Sequence, residues 1–196
     1  MNWFRSRAAT NPRPVTSGPC LALLLLLAGP VLSQSTSALP VLSSKTAGAC
    51  HAPQNAELDF WIGDWELRLP SGEFAGTVQV ERRLGGCGLA ETMMSPDSSY
   101  RGESYTAFRR GTGTWLQLWS DTDGDVYQLE GTVVGGRLVY HGFQMDSSGS
   151  RSLIRITYTP SGGTKGEIRQ VGQISPDDGR TWQAWFEARY IRRDHR

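Results

Sequence analysis

From Trp65 to Arg192 the chain is a succession of short runs rich in Val, Ile, Thr, Tyr and Trp, each ended by Gly, Asp or Ser, and no segment sustains a helical apolar period. Branched and aromatic residues fit a pleated, half-buried surface, whereas a helix needs apolar residues every third or fourth position. The pattern predicts ten strands: Trp65–Leu69, Gly76–Leu84, Leu89–Met94, Ser104–Arg109, Trp115–Ser120, Val126–Val134, Arg137–Met145, Ser152–Thr159, Gly166–Ile174 and Thr181–Arg192. The breaks carry turn chemistry, among them Ser71-Gly72, Gly85-Gly86, Arg110-Gly111-Thr112-Gly113, Asp123-Gly124 and Asp177-Asp178-Gly179. Gly135-Gly136 predicts a tight hairpin, since glycine takes positive φ without steric cost. Strands so evenly spaced pair with their chain neighbours. Closing such a sheet removes its edges, so the expected fold is all-β, a single antiparallel up-and-down barrel of about ten strands. One short helical turn is expected before it, over Ala52–Leu58, with Pro53 at its start.

The N-terminus reads differently. Arg5, Arg7 and Arg13 precede the apolar run Cys20–Ala28, and Gly29-Pro30-Val31-Leu32-Ser33 supplies small residues after it. A basic start, a short apolar core and a small-residue cleavage site make a secretory signal peptide over residues 1–33, cut after Ser33 or Ala38. The run is well short of the ~20 residues a spanning helix needs. Residues 34–49, poor in aromatics and rich in Ser, Thr and Ala, read as a disordered linker, and 50–193 as the barrel domain. The expected location is exported, periplasmic or extracellular, with no membrane attachment after cleavage. Residues 1–33 carry three Arg and no acid, so their removal takes the formal charge from +1 to −2. A nearly neutral chain without a charge block gives no sign of nucleic-acid binding. Cys50 and Cys87 remain, and in an oxidising compartment an even pair reads as a disulfide, the alternative being two separate buried thiols.

Alternation assigns faces only in part. In the last strand Trp182, Ala184, Phe186, Ala188 and Tyr190 share one face, with Trp185 on the other. In the fifth, Trp115, Gln117 and Trp119 oppose Leu116, Leu118 and Ser120, so both faces are apolar. One face lines the lumen, and the other would meet a second surface such as another subunit in a homodimer.

A set of motifs in fixed order adds a resemblance. The chain has Cys50, then Asp59-Phe60-Trp61-Ile62-Gly63-Asp64-Trp65, then Gly86-Cys87-Gly88-Leu89-Ala90-Glu91 and Gly102-Glu103-Ser104. These are followed by Trp115-Leu116-Gln117-Leu118-Trp119-Ser120-Asp121, Arg169-Gln170 and Ser175-Pro176-Asp177-Asp178-Gly179-Arg180-Thr181-Trp182. The series resembles a bacterial family of exported lipocalin-like (calycin-like) domains over residues 50–192. One departure is Gly172, where that family has an aromatic two residues after Arg-Gln. The resemblance implies the fold and implies no activity. In such barrels the Gly-x-Trp lets the chain turn sharply while the indole plugs one end.

Candidate chemistry is sparse. Ser175–Trp182 also fits the Asp-box of propellers, which carry repeated copies; a single copy is a hairpin turn. Asp121-Thr122-Asp123-Gly124-Asp125 suggests calcium, but an EF-hand needs Gly at position six and an acid at twelve, where Val126 and Thr132 stand. His51, His141 and His195 are scattered and no Cys or His cluster has zinc spacing, so no metal or other cofactor is implied. His141 would be an ordinary strand residue, or a haem ligand if it faced a cavity. The polar residues Glu91, Gln117, Arg155 and Gln170 lie in predicted strands among apolar neighbours. Turned inward, each needs a partner, which could be another side chain, water or a ligand. Glu91 with Arg155 is one internal ion pair that would serve. With Trp115, Trp119, Tyr140 and Trp182 as walls, these residues make the candidate ligand site. The expected function is an exported protein holding a small, partly apolar molecule in its barrel. No catalytic residue is assigned, although an isomerase or hydratase using Glu91 or His141, and a filled structural barrel, both remain open.

Overall fold

The computed structural model describes Cys50 and residues 52–145, 149–161 and 166–193. The leader expected over 1–33 and the linker over 34–49 lie outside the described residues. Two 3-10 turns, Pro53–Ala56 and Asp59–Trp61, precede the sheet. Ten antiparallel strands then close into one barrel, lipocalin-like as the sequence predicts. They are β1 (Gly63–Arg68), β2 (Phe74–Arg83), β3 (Gly88–Met94), β4 (Arg101–Arg109), β5 (Thr114–Asp121), β6 (Val126–Val134), β7 (Arg137–Met145), β8 (Arg151–Ser161), β9 (Glu167–Ser175) and β10 (Gln183–Arg192). Each strand pairs with its chain neighbours, and β1 closes the ring on β10. Among the described residues no helix is long and apolar enough to cross a membrane.

One end of the barrel is plugged. Trp61 and Trp65 are fully buried, and the Trp65 indole N–H donates to the Trp61 carbonyl at 2.9 Å. The Trp61 ring lies 4.7 Å from that of Tyr158, and the Trp115 indole N–H donates to the Glu57 carboxylate at 3.0 Å. Arg192, opposite Trp65 in the closing ladder, lays its guanidinium 4.2 Å above the indole and donates to the Ile62 carbonyl at 3.1 Å. Gly63 permits this: its φ is +134°, and a Cβ there would stand 2.4 Å from the Arg192 Nη1. The Gly-x-Trp opening thus plugs the barrel, and it also leaves room for the cation that covers the plug.

Cys50 and Cys87 form a disulfide with Cα atoms 4.6 Å apart. It ties the segment before the plug to the 3-10 turn Leu84–Gly86 between β2 and β3. An Arg82–Asp59 ion pair and the Asn55 amide, which donates to the Gly86 carbonyl at 3.4 Å, hold the same junction.

Alternation holds along most strands and fails where the sheet is irregular. In β5, Trp115 and Gln117 are buried, Trp119 turns the same way, and Leu118 on the outer side is 53 % exposed. Leu118 faces the half-exposed Tyr105 of β4, and Gln128 separates it from Phe143, so the second apolar face expected for β5 lies outside the barrel. In β10 the register against β9 shifts between Ala184 and Phe186. A bulge sets two residues against one and reverses the facing of everything before it. Phe186, Ala188 and Tyr190 therefore point inward, as expected, whereas Trp182 and Ala184 do not share their face.

Loss of the disulfide tests the junction. Its chain separation of 37 residues corresponds, in the chain-entropy picture, to about 4 kcal/mol. The paired change Cys50→Ser with Cys87→Ser is expected to lower the denaturation free energy by up to about that amount and leave the far-ultraviolet circular dichroism of the barrel unchanged. Gly63→Ala, strained in φ and blocked by Arg192, should cost about 1–3 kcal/mol by the same measurement. An unaltered midpoint in either variant would contradict these roles.

Candidate functional site

Above the plug the lumen holds a cavity of about 390 Å³. Its walls are apolar: Leu67, Met93, Leu129, Ile156 and Ala188, with the rings of Trp119, Tyr127, Trp185 and Phe186. It reaches the exposed residues Pro96, Asp97 and Ser99 of the β3–β4 loop and Asp123 of the β5–β6 loop. Two glycines shape these walls. A Cβ at Gly102 would stand 2.1 Å from the Trp119 indole, and one at Gly172 2.3 Å from the Phe186 ring. Gly172, which departs from the resembled family's aromatic, is where Phe186 lies flat across β9.

At the base of the cavity, side chains from six strands meet. The Ser104 hydroxyl donates to Glu91 Oε2 at 2.9 Å, and the Gln117 amide donates to Ser104 Oγ at 3.0 Å and to Glu91 Oε2 at 3.5 Å. On the far side the Gln170 amide donates to the Tyr158 hydroxyl at 2.8 Å. The Tyr190 hydroxyl lies 3.3 Å from Glu91 Oε1 and 3.2 Å from Gln170 Oε1. It has one proton, so it donates to one of the two at a time. The protonation of Glu91 and the direction of the Tyr190 bond are therefore linked.

Glu91 is 3 % exposed, and no cationic group offsets its burial. Desolvation raises its pKa from 4.5 to about 7, against the lowering effect of the Ser104 and Tyr190 hydrogen bonds. Near neutral pH the carboxyl is thus poised between its two forms. At the rim the Ser95 and Ser99 hydroxyls hold Asp97 down to about 2. Asp121 accepts the Tyr100 hydroxyl at 2.9 Å, the Trp119 indole N–H at 3.1 Å and the backbone N–H groups of Asp123 and Asp125 at 3.1 Å each. The acidic run that suggested calcium is thus built around an internally satisfied Asp121. Burial, then the Asp121 charge, push the Tyr100 phenol well up.

Of the residues singled out in the sequence, Glu91, Gln117, Trp119 and Gln170 line the cavity together. Tyr140 is fully buried but lies outside the lining, its ring edge-on to Tyr158 at 6.3 Å. Arg155 and Trp182 need correcting. Alternation in β8 turns Ile154, Ile156 and Tyr158 inward and Arg155 outward, where its guanidinium lies 4.5 Å over the Trp182 ring and donates to Gln173 at 2.7 Å. The Glu91–Arg155 ion pair therefore does not form, because the two sit on opposite faces of the wall. His141 is on the outer face as well, exposed and opposite Arg155, with its pKa lowered by partial burial and by that cation. It reaches no lumen, so neither haem ligation nor acid–base work inside the barrel falls to it. The Ser175–Trp182 stretch closes on itself: Asp177 accepts Ser175, the Thr181 hydroxyl and the Thr181 N–H within 2.9 Å. It is a turn, and Trp182 packs on Arg155 and not beneath the turn.

Sequence reasoning missed Tyr158, Tyr190 and Ser104 as network members and Trp185 as a wall. A signal existed for Ser104: the acidic, seryl and amide residues of the separate motifs, Glu91, Ser104, Gln117 and Gln170, all arrive in this one network. Trp185 enters the lining at the β10 bulge, which no sequence pattern announces. Compared with models of known protein families and with curated proteins, the chain matches none.

The Glu91 shift sets a stability test. Below about pH 4.5 the carboxyl is neutral folded and unfolded; between there and about 7 only the unfolded chain ionises, so folding loses stability as pH rises. The full loss is about 3 kcal/mol. Glu91→Gln removes this dependence. Denaturant titrations should show the wild type losing about 3 kcal/mol relative to the variant between about pH 4 and pH 8, whereas a pH-independent difference would mean a solvated carboxyl.

Proposed function

We propose that the protein is exported and binds a small, partly apolar molecule in the barrel lumen. The observation that carries this reading is the cavity: about 390 Å³, walled by aromatic and aliphatic side chains, with its hydrogen-bonding groups gathered at one end. That is the composition of a small-molecule pocket, in which apolar walls supply affinity and a few fixed polar groups orient the ligand. Among the described residues, the cavity reaches the surface past the β3–β4 and β5–β6 loops. Export is supported by the leader-like N-terminus and by the Cys50–Cys87 disulfide, a bond that persists in oxidising compartments.

A second reading uses the same carboxyl. A Glu with a pKa near 7 at the base of a cavity is suited to moving a proton to and from a bound molecule, as an isomerase or hydratase requires. The binding reading stands ahead of it because the carboxyl is already hydrogen-bonded to Ser104 and its neighbours, within a cavity whose walls are mainly apolar.

The test is uptake of a neutral solvatochromic dye. The wild type should bind it at one equivalent with a blue-shifted emission. Ala188→Phe, which fills the lumen from β10, should weaken binding at least about tenfold while keeping the fold by circular dichroism. Equal dye binding in a folded Ala188→Phe variant would move the site out of the lumen.

A further inference from the structure

Among the described residues, the ionisable groups that line the cavity are acids or phenols: Glu91 stands at its base, Asp97 and Asp123 at its rim, and no described Lys, Arg or His is in the lining. Asp125, behind the rim, accepts the Tyr127 hydroxyl at 2.7 Å. The groups packed around Glu91 are Ser104, Gln117, Gln170 and the phenols of Tyr140, Tyr158 and Tyr190, none of them cationic. Nearby arginines are engaged outside the lumen: Arg155 on Gln173, Arg192 on Trp65 and Arg101 on Glu103.

The carboxylate also has capacity left. It offers about four acceptor directions, and only Ser104 at 2.9 Å makes a short bond, while Tyr190 and Gln117 stand at 3.3 and 3.5 Å. An ammonium brings three donors and the missing positive charge. Trp119, Tyr127 and Trp185 line the same cavity, and aromatic rings of these kinds attract organic cations. An anionic ligand would face Glu91, Asp97 and Asp123 with no counter-charge. A neutral one would leave the buried charge without a partner.

We propose that the lumen selects an organic cation, an amine on a small apolar body, with its ammonium on Glu91 and its body against Trp119, Trp185 and Phe186. This rests on the reading of the barrel as a small-molecule binder. Acidic rim residues would draw such a ligand in, and the aromatic walls would hold its apolar part.

Calorimetry with the exported protein separates the two claims. Phenethylamine, phenethyl alcohol and phenylacetate share one body and differ in charge. At about pH 8, above the Glu91 titration near 7, the amine should bind at least about tenfold tighter than the alcohol, and phenylacetate weakest. Glu91→Gln should abolish the amine's advantage over the alcohol, so that the two bind with the same affinity. If that variant does not fold, the wild type suffices: the amine's advantage should shrink about tenfold towards pH 6 as Glu91 gains its proton. An alcohol or phenylacetate bound as tightly as the amine, with the neutral dye still entering, overturns the cation inference and spares the binding reading. If neither the dye nor any of the three compounds binds, both fall.

Discussion

Trp65 and Arg192 face each other where the first strand meets the last, and the rest of the structure depends on that contact. A sheet of ten strands has an inside only if it closes, and the closing ladder is the one formed between residues furthest apart in the chain. The guanidinium over the indole, the Ile62 carbonyl it bonds, and the glycine that makes room for it fix the ladder at the plugged end. The disulfide pins the plug from the other side. Once the ring is closed, alternation has a physical consequence: every second side chain must find its partner inside.

For the apolar ones this means packing, for Glu91, Ser104 and Gln117 it means each other, and for Gln170 it means the hydroxyls of Tyr158 and Tyr190. Burying a carboxyl without a cation is costly, and the cost shows as a pKa near 7. Beneath the cavity it is a fixed point of polarity at the end of an apolar well, which under the proposed binding role would give a ligand one orientation. The asymmetry between a plugged end and an acidic rim follows from the same chain order. The plug comes from the segment before β1, and the rim from the β3–β4 and β5–β6 loops.

Much of the fold was legible in the sequence because strand alternation and turn chemistry are local. Gly135-Gly136 gave its hairpin directly, and Pro53 the turn that opens the plug. The strand boundaries differ most at β4, which begins at Arg101 and not at Ser104, and at β10 a side chain diverts the backbone: Thr181 gives its N–H to Asp177 and the strand begins only at Gln183. The site was legible in half. Glu91, Gln117, Trp119 and Gln170 were found because a polar or aromatic residue in a well-patterned strand can be assigned a face. Arg155 and Trp182 were misplaced. Arg155 alternates with Ile154, Ile156 and Tyr158 in β8, so the apolar pattern of that strand already placed it outside, and the bulge at Trp185 reverses the facing of Trp182. Tyr158 and Tyr190 were missed because a phenol's hydrogen bond leaves no trace in a pattern.

The central claim is that Glu91 is a buried carboxyl with no cation beside it, at the base of the lumen. Its most direct test is a carbon-13 NMR titration of the Glu91 side-chain carboxyl in the folded protein. The account predicts a midpoint near 7. A midpoint close to the ordinary 4.5 would mean that the group is hydrated or paired, and would contradict the account.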